Sequence, residues 1–220
     1  MAEDEDRAVA GMRRRYGLAG LAESDLAPTW PEQFATWFDD AVSSGLLVEP
    51  NAMVLATAAP DGRPSARTVL LKGYDPGGFV LFTNYGSRKG REVAANPYAA
   101  LVFSWVPLER QVVVCGAVER VSRAEAVDYF ATRPRGSRLG AWASPQSAVL
   151  PSREPLDAAL AEVSERFPEG AEIPPPDGWG GLRVVPETVE FWQGRPDRLH
   201  DRLRYRRLPD GAWVVERLAP

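Results

Sequence analysis

The sequence predicts an α+β fold: an antiparallel β-barrel with flanking helices. Three observations lead there. Turn signals at PDGR (60–63), DPGG (75–78) and PDG (209–211) join short apolar runs into hairpins, which pair antiparallel. Helical spacing of apolar residues is confined to a few segments between those hairpins. No internal repeat or long linker divides the chain, and about seven strands with a few helices suit one antiparallel barrel. The 220 residues are therefore read as a single domain at 12–220, behind an acidic, disordered tail at 1–11.

The elements follow in order. MRRRYG suits a short helical turn. A helix runs from Pro31 to about Ser44. Pro31 fits the first helical position, and Phe34, Trp37, Phe38 and Ala41 recur at the spacing of one buried face. Strands follow at 52–59, 65–74 and 79–84. Ser87 caps a short helix that ends before Pro97, and strands at 98–106 and 110–121 come next. Ser122 and Glu125 form a capping box for a helix reaching about Arg133, where Pro134 stops it. Residues 152–167 make another amphipathic helix, and IPPPDGWGG (173–181) a rigid loop. The chain closes with strands at LRVVP, TVEFWQG, LRYRRL and AWVVERL.

Composition excludes several classes of function. Hydrophobic content of 45% and charged content of 25% are those of a soluble globular protein. The apolar runs fall well short of the ~20 residues that span a bilayer. The start, MAEDEDRAVAG, lacks the apolar segment of a signal peptide, and the one cysteine, Cys115, excludes an intramolecular disulfide. These features predict a cytoplasmic protein. Cys115 lies in VVVCGAV, which predicts a buried thiol. Acidic residues outnumber basic ones, 30 to 26, without a continuous basic stripe, so the chain does not read as a nucleic-acid binder. One histidine and one cysteine cannot build a zinc site without carboxylates. No Walker A loop, GxGxxG or GxSxG is present. Side chains alone offer little covalent chemistry, so an enzyme here would use a cofactor.

The positive charge is gathered in short clusters. In GSRKGRE, Arg88 and Lys89 oppose the dipole at a helix N-terminus, where free N–H groups also await an anion. Tyr129 and Arg133 are four apart on one helical face, and Ser137 and Arg138 follow the proline break. A converging phenol, guanidinium and hydroxyl suit a phosphate, and suit a helix end equally. In GRPDRLHDRLRYRR (194–207), six arginines surround the only histidine. Arg198, His200 and Arg202 alternate, so an extended chain puts them on one face, where like charges repel unless an anion lies among them. A small phosphorylated or anionic ligand is the reading, with solvated surface charge as the alternative.

Longer motifs carry a resemblance. RTVLLK (67–72), FTNYGSRK (82–89), ERQVVVCG (109–116), YFATRPRGSRLGAWASPQS (129–147), WGGLRV (179–184), VEFWQGRPDRLHDR (189–202) and the terminal ERLAP closely resemble the pyridoxamine (pyridoxine) 5′-phosphate oxidase family, from about Met12 to Pro220. The resemblance implies an FMN-binding split β-barrel and a homodimer with two flavin sites at the subunit interface. It implies oxidation of pyridoxamine or pyridoxine 5′-phosphate at C4′ to pyridoxal 5′-phosphate, with O2 reduced to H2O2. A phenazine-pathway oxidase on the same barrel, and a flavin-binding module without turnover, are the rivals. The joint presence of Tyr129, Arg133, Ser137, Arg198 and His200 favours the phosphate-bearing vitamer.

Residue by residue, the resemblance implies that Arg67, Thr68, Val69, Leu70, Leu71 and Lys72 line the flavin, with Lys72 also reaching the substrate phosphate. Phe82, Thr83, Arg88 and Lys89 bind FMN, the cations serving its phosphate region, and Gln111, Gln146, Ser147, Trp192 and Arg202 complete the shell. Tyr129, Arg133 and Ser137 hold the substrate phosphate. Arg198, Leu199 and His200 lie at the substrate ring, with Arg198 and His200 as the catalytic pair. Arg13 and Tyr16 belong to a segment that folds over the substrate. One difficulty remains. Arg67 and Lys72 are five apart, so a regular strand points them to opposite faces. A bulge, or contacts split between two subunits, would reconcile them.

Overall fold

A computed structural model of the chain describes residues 15–220. The predicted tail at 1–11 and Arg13 lie outside the described residues. Among the described residues five α-helices form: α1 (Trp30–Ser43), α2 (Arg88–Ala95), α3 (Arg123–Ala131), α4 (Arg135–Ala143) and α5 (Glu154–Arg166). The same residues form nine strands: β1 (Ala52–Ala58), β2 (Pro64–Leu70), β3 (Gly73–Asp75), β4 (Gly78–Asn84), β5 (Tyr98–Trp105), β6 (Arg110–Arg120), β7 (Trp179–Gln193), β8 (Asp201–Arg207) and β9 (Trp213–Arg217). They make one antiparallel sheet in the order β2-β1-β5-β6-β7-β4-β3, with β8 joined to β7 and β9 to β8. The predicted fold class is the observed one, a split barrel.

The split lies on β7. Its first half pairs with β4 and its second half with β8, while β6 runs along its other edge through both. The handover falls at Val185–Glu187. Pro186 has no N–H to give a ladder, and Glu187 is an extra residue opposite the step from Cys115 to Gly116. Gly116 is required there, because a Cβ would sit 2.0 Å from the Val185 carbonyl oxygen. The proline and bulge read in sequence as a break between two strands; the structure carries one bulged strand across it.

Two other expectations change. The strand expected at 65–74 is two strands. β2 ends at Leu70, the Leu71 N–H donates to Asn51, and the Lys72 N–H donates to Val80 on β4. The chain leaves one partner for another between Arg67 and Lys72, so strand alternation does not carry through. The helix after Ser122 ends at Ala131, and Pro134 caps a further helix, α4, that periodicity did not suggest.

The main core forms where α1 packs on the sheet. Phe34 is fully buried, meeting Phe79 edge-on at 4.9 Å and Phe103 at 5.1 Å, with Phe38 stacked at 5.6 Å. Glu32 accepts hydrogen bonds from the N–H and hydroxyl of Thr29 and so fastens the start of α1. A second core gathers Ala126, Phe130, Leu139, Ile173 and Trp179 beneath α3 and α4. Cys115 is exposed, not buried. β6 alternates, so Val112 and Val114 face the core while Cys115 shares the outer face with Gln111 and Val113.

Candidate functional site

Three groups of the predicted residues assemble, each fixed by a different part of the sheet. The first lies where α2 meets β1 and β2. Ser87 caps α2 by accepting from the Gly90 N–H at 3.3 Å, which sets Arg88 and Lys89 in its first turn. Gly90 is required for the approach of α2 to the preceding turn, since a Cβ would lie 2.2 Å from the Tyr85 carbonyl oxygen. Arg67, opposite Leu55 on β1, donates to the Leu55 carbonyl at 3.2 Å, to Thr57 Oγ1 at 2.6 Å, to the Ser65 hydroxyl, and to Glu92 at 3.3 Å. Arg88 Nε donates to the same carboxylate at 2.8 Å. Lys89 Nζ and Thr83 Oγ1 both donate to Gln146 Oε1, at 2.8 and 3.2 Å. Ser147 follows in the left-handed region, with φ 71°.

This group carries three cations against one carboxylate, a surplus of two positive charges. Burial, and then the nearby charge of Arg67, lower the pKa of Lys89. A phosphate monoester carries about −1.5 to −2 charges at neutral pH and would match it. The donor set therefore fits the phosphate of a flavin mononucleotide.

Residues of RTVLLK do not share one face. Alternation puts Arg67 and Val69 on one side of β2 and Thr68 and Leu70 on the other, Leu71 is buried, and Lys72 is exposed. β2 is the last strand on its side of the sheet, so among the described residues its outer backbone edge is open as far as Leu70, after which the Leu71 and Lys72 N–H groups are taken by Asn51 and Val80. A ligand lying along that edge meets backbone groups of the stretch whichever way the side chains point.

The second group is an aromatic wall. Phe82 on β4 stacks on Tyr129 at 4.0 Å and on Trp179 at 5.4 Å, the planes within 12° and 8° of parallel. The Arg133 guanidinium lies over Trp179 at 5.1 Å and Phe130 at 5.4 Å. Among the described residues one terminal nitrogen of Arg133 is buried without a hydrogen-bond partner, and burial lowers the pKa of the group. Such an orphan donor calls for a ligand acceptor. Ser137 stands on the first turn of α4 and Tyr129 on α3, flanking Arg133 in sequence.

The third group lies at the other end of β7. Gln111, Trp192 and Arg202 form one row across β6, β7 and β8, since Gln111 is opposite Trp192 and Trp192 opposite Arg202. Tyr16 meets Trp192 edge-on at 5.8 Å and His200 at 5.7 Å, and Trp192 and His200 lie 4.6 Å apart. The Arg195 N–H donates to His200 Nδ1 at 3.1 Å. That bond requires a lone pair on Nδ1, so neutral His200 carries its proton on Nε2.

Here two sequence expectations are corrected. Arg198 is not extended: Pro196–Arg198 form a 3₁₀ turn, and Asp197 and Arg198 are left-handed, with φ 56° and 64°. Arg198 therefore does not alternate with His200 and Arg202 along a strand. Nor do the C-terminal arginines as a set wait for an external anion. Arg202 pairs with Glu190 at 2.7 Å, Arg204 and Arg206 with Glu216, and Arg195 with Asp201. Among the described residues Arg198 pairs with no carboxylate, and Leu199 beside it is 71% exposed.

Sequence reading missed Glu92 and Trp179. The Arg88–Glu92 spacing of four on a helix was a legible signal. Nothing in WGG marked Trp179 as the back of a wall.

Comparison with known proteins places the chain in a family. The family model described as pyridoxamine 5′-phosphate oxidase matches residues 38–167, and one described as the pyridoxine 5′-phosphate oxidase C-terminal dimerisation region matches 179–220. The pyridoxine/pyridoxamine 5′-phosphate oxidase of Salinispora arenicola is 63% identical over 96% of both chains. The crystal structure of PhzG from Burkholderia lata, solved with tetrahydrophenazine-1-carboxylic acid, superposes with a TM-score of 0.83 at 30% identity, covering 94% of this chain and 100% of that one. A pyridoxamine 5′-phosphate oxidase-related, FMN-binding protein from Nostoc punctiforme shares the fold, with a TM-score of 0.70 at 21% identity over 89% of this chain and 99% of that one. Near-complete identity coverage, two consecutive family matches and the common barrel lead to one conclusion: this chain is an oxidase of the pyridoxamine 5′-phosphate oxidase family.

Proposed function

We propose that the chain oxidises pyridoxamine 5′-phosphate and pyridoxine 5′-phosphate to pyridoxal 5′-phosphate, with FMN as cofactor. The observation that carries this reading is the pair of separate anion sites, above all the buried, partnerless nitrogen of Arg133 on an aromatic wall. One site suits a flavin phosphate and the other a substrate phosphate. Bound FMN would supply the two-electron chemistry, accepting a hydride equivalent from C4′ and passing the electrons to O2 as H2O2.

The chain's own residues bind and orient. Arg67, Arg88 and Lys89 hold the flavin phosphate, with Thr83, Gln146 and Ser147 beside it. The stretch Thr68–Lys72, Phe82, Gln111, Trp192 and Arg202 complete the flavin shell. Tyr129, Arg133, Ser137 and Lys72 hold the substrate phosphate. Arg198, Leu199 and His200 lie at the ring, with Arg13 and Tyr16 over it. In this tautomer His200 offers a donor, Nε2–H, to the substrate, and it becomes a proton source only after protonation at Nδ1 displaces the Arg195 bond.

A homodimer belongs to the same reading. Trp179, behind the phosphate residues, and Trp192, beside His200, lie at opposite ends of β7, about 40 Å apart along an extended strand. One small substrate cannot touch both ends of one chain, so a second copy supplies the other half. Among the described residues no helix is long and apolar enough to cross a membrane. A cytoplasmic location is proposed with this reading, supported by the single, unpaired cysteine. Oxygen uptake with both phosphorylated vitamers, with peroxide measured in parallel, is the test. Turnover of both, and little with unphosphorylated pyridoxamine, is expected. Equal rates with and without the phosphate would overturn the substrate assignment.

A further inference from the structure

We infer that Glu92 is a positioning residue for the flavin phosphate: its buried carboxylate fixes the guanidinium groups of Arg67 and Arg88 in the arrangement that receives the anion. The inference rests on the flavin-phosphate reading above. Glu92 lies one turn after Arg88 on α2 and is 6% exposed. Oε2 accepts from Thr57 Oγ1 and Ser65 Oγ, each at 2.5 Å, and from Arg67 at 3.3 Å, while Oε1 accepts from Arg88 Nε at 2.8 Å. One carboxylate thus ties together β1, β2 and α2.

Its placement looks unfavourable, because a negative charge beside a phosphate site repels the ligand. The bonding pattern shows what it does instead. Arg88 uses Nε on Glu92, which leaves both terminal nitrogens of its planar fork for another acceptor. Arg67 is held at both terminal nitrogens by Leu55, Thr57, Ser65 and Glu92, so its orientation is fixed before any ligand arrives. Burial works against the charge on Glu92, yet hydrogen bonds from Ser65, Thr57, Arg88 and Arg67 outweigh it and hold the pKa at about 2. The carboxylate is therefore an anion throughout the neutral range. It also screens the mutual repulsion of Arg67, Arg88 and Lys89, which would otherwise spread apart.

Charge alone and positioning predict opposite results for Glu92→Gln. By charge alone, loss of the carboxylate tightens FMN. By positioning, the amide cannot accept from four donors, the guanidinium groups lose their setting, and FMN weakens. The full chain, stripped of flavin, is titrated with FMN and with riboflavin, following quenching of flavin fluorescence. We expect the FMN Kd of Glu92→Gln to rise about tenfold or more while the riboflavin Kd stays unchanged. An unchanged or tighter FMN Kd overturns the inference, and so does equal weakening of both flavins, which marks a merely structural residue. If the unaltered chain binds riboflavin as tightly as FMN, the phosphate reading itself fails, and the inference with it. Should Glu92→Gln not fold, Ser65→Ala removes one of the same donors without touching a charge. A selective loss for FMN then supports the inference, and no loss overturns it.

Discussion

His200 accepts a hydrogen bond from the Arg195 backbone, and this local contact decides what the ring can give. It is the only histidine, so its nitrogen signals are unambiguous in an NMR spectrum. We expect the Nε2–H tautomer for the neutral ring; a proton on Nδ1 would refute the assigned contact. Arg133 and Arg198 are also separable at this scale. Arg133 stands on the aromatic wall with an unsatisfied nitrogen, remote from the third group in its own chain. Energy gained at a remote phosphate is mostly uniform between ground and transition states. Arg133→Leu should therefore raise KM for pyridoxamine phosphate by about tenfold to a hundredfold with little change in kcat. Arg198→Leu should lower kcat as well, because the proposed site puts that residue at the reacting ring. Both variants should keep their flavin. Identical, purely KM effects would remove the distinction between them.

At the scale of elements, α2 is the part that joins fold to site. Its approach to Tyr85 leaves no room for a side chain at position 90. Gly90→Ala should cost about 1–3 kcal/mol by overpacking, lower Tm, and release flavin before the fold is lost. A variant of unchanged Tm and flavin content would contradict that geometry. Lys89 gives a pH test. Its pKa is lowered by burial and by Arg67, and a bound phosphate favours the ammonium form. FMN affinity should then decline as pH rises toward the lowered lysine pKa, and Lys89→Met should flatten that alkaline limb. The sequence already showed α2 and its Ser87 cap, because side-chain capping and the nearby Pro97 are local signals. It showed α1, where Phe34 and Trp37 recur on one face. It did not show α4, whose RGSRLGAWA has two glycines, only nine residues and no apolar side chain before Leu139. It misjudged Arg198, because two successive left-handed residues without glycine are set by tertiary packing and not by local preference. It also missed that the C-terminal arginines pair across strands, since Glu190 and Glu216 meet them only through register.

At the scale of the whole molecule, the described residues leave one sheet face uncovered. Across β2, β1, β5 and β6, register aligns Thr68, Val54, Val102 and Val113 in one row, and Ala66, Ala56, Ala100 and Cys115 in the next. Their neighbours on the other side, Leu55, Leu101 and Val114, are buried in the core, so these rows face outward. No charge stands among them, and Val54 is 36% exposed. In sequence, AMVLATAA is apolar at both phases, which predicts a strand but does not say that its second face also needs cover. The matched C-terminal dimerisation region belongs to the same sheet through β7 and β8. A second copy packed on this face would bury the rows. We therefore expect sedimentation velocity to give twice the chain mass for the native protein. Val54→Glu together with Val102→Glu places like charges at the centre of the face, where burial without a partner is costly. That variant should sediment as a monomer, keep its α1 core and its helical circular dichroism, and lose both flavin and turnover, because in the proposed dimer each chain holds only half of a site. A charged variant that stays dimeric would move the interface elsewhere, and a monomeric variant that retained full turnover would show that one chain carries a whole site.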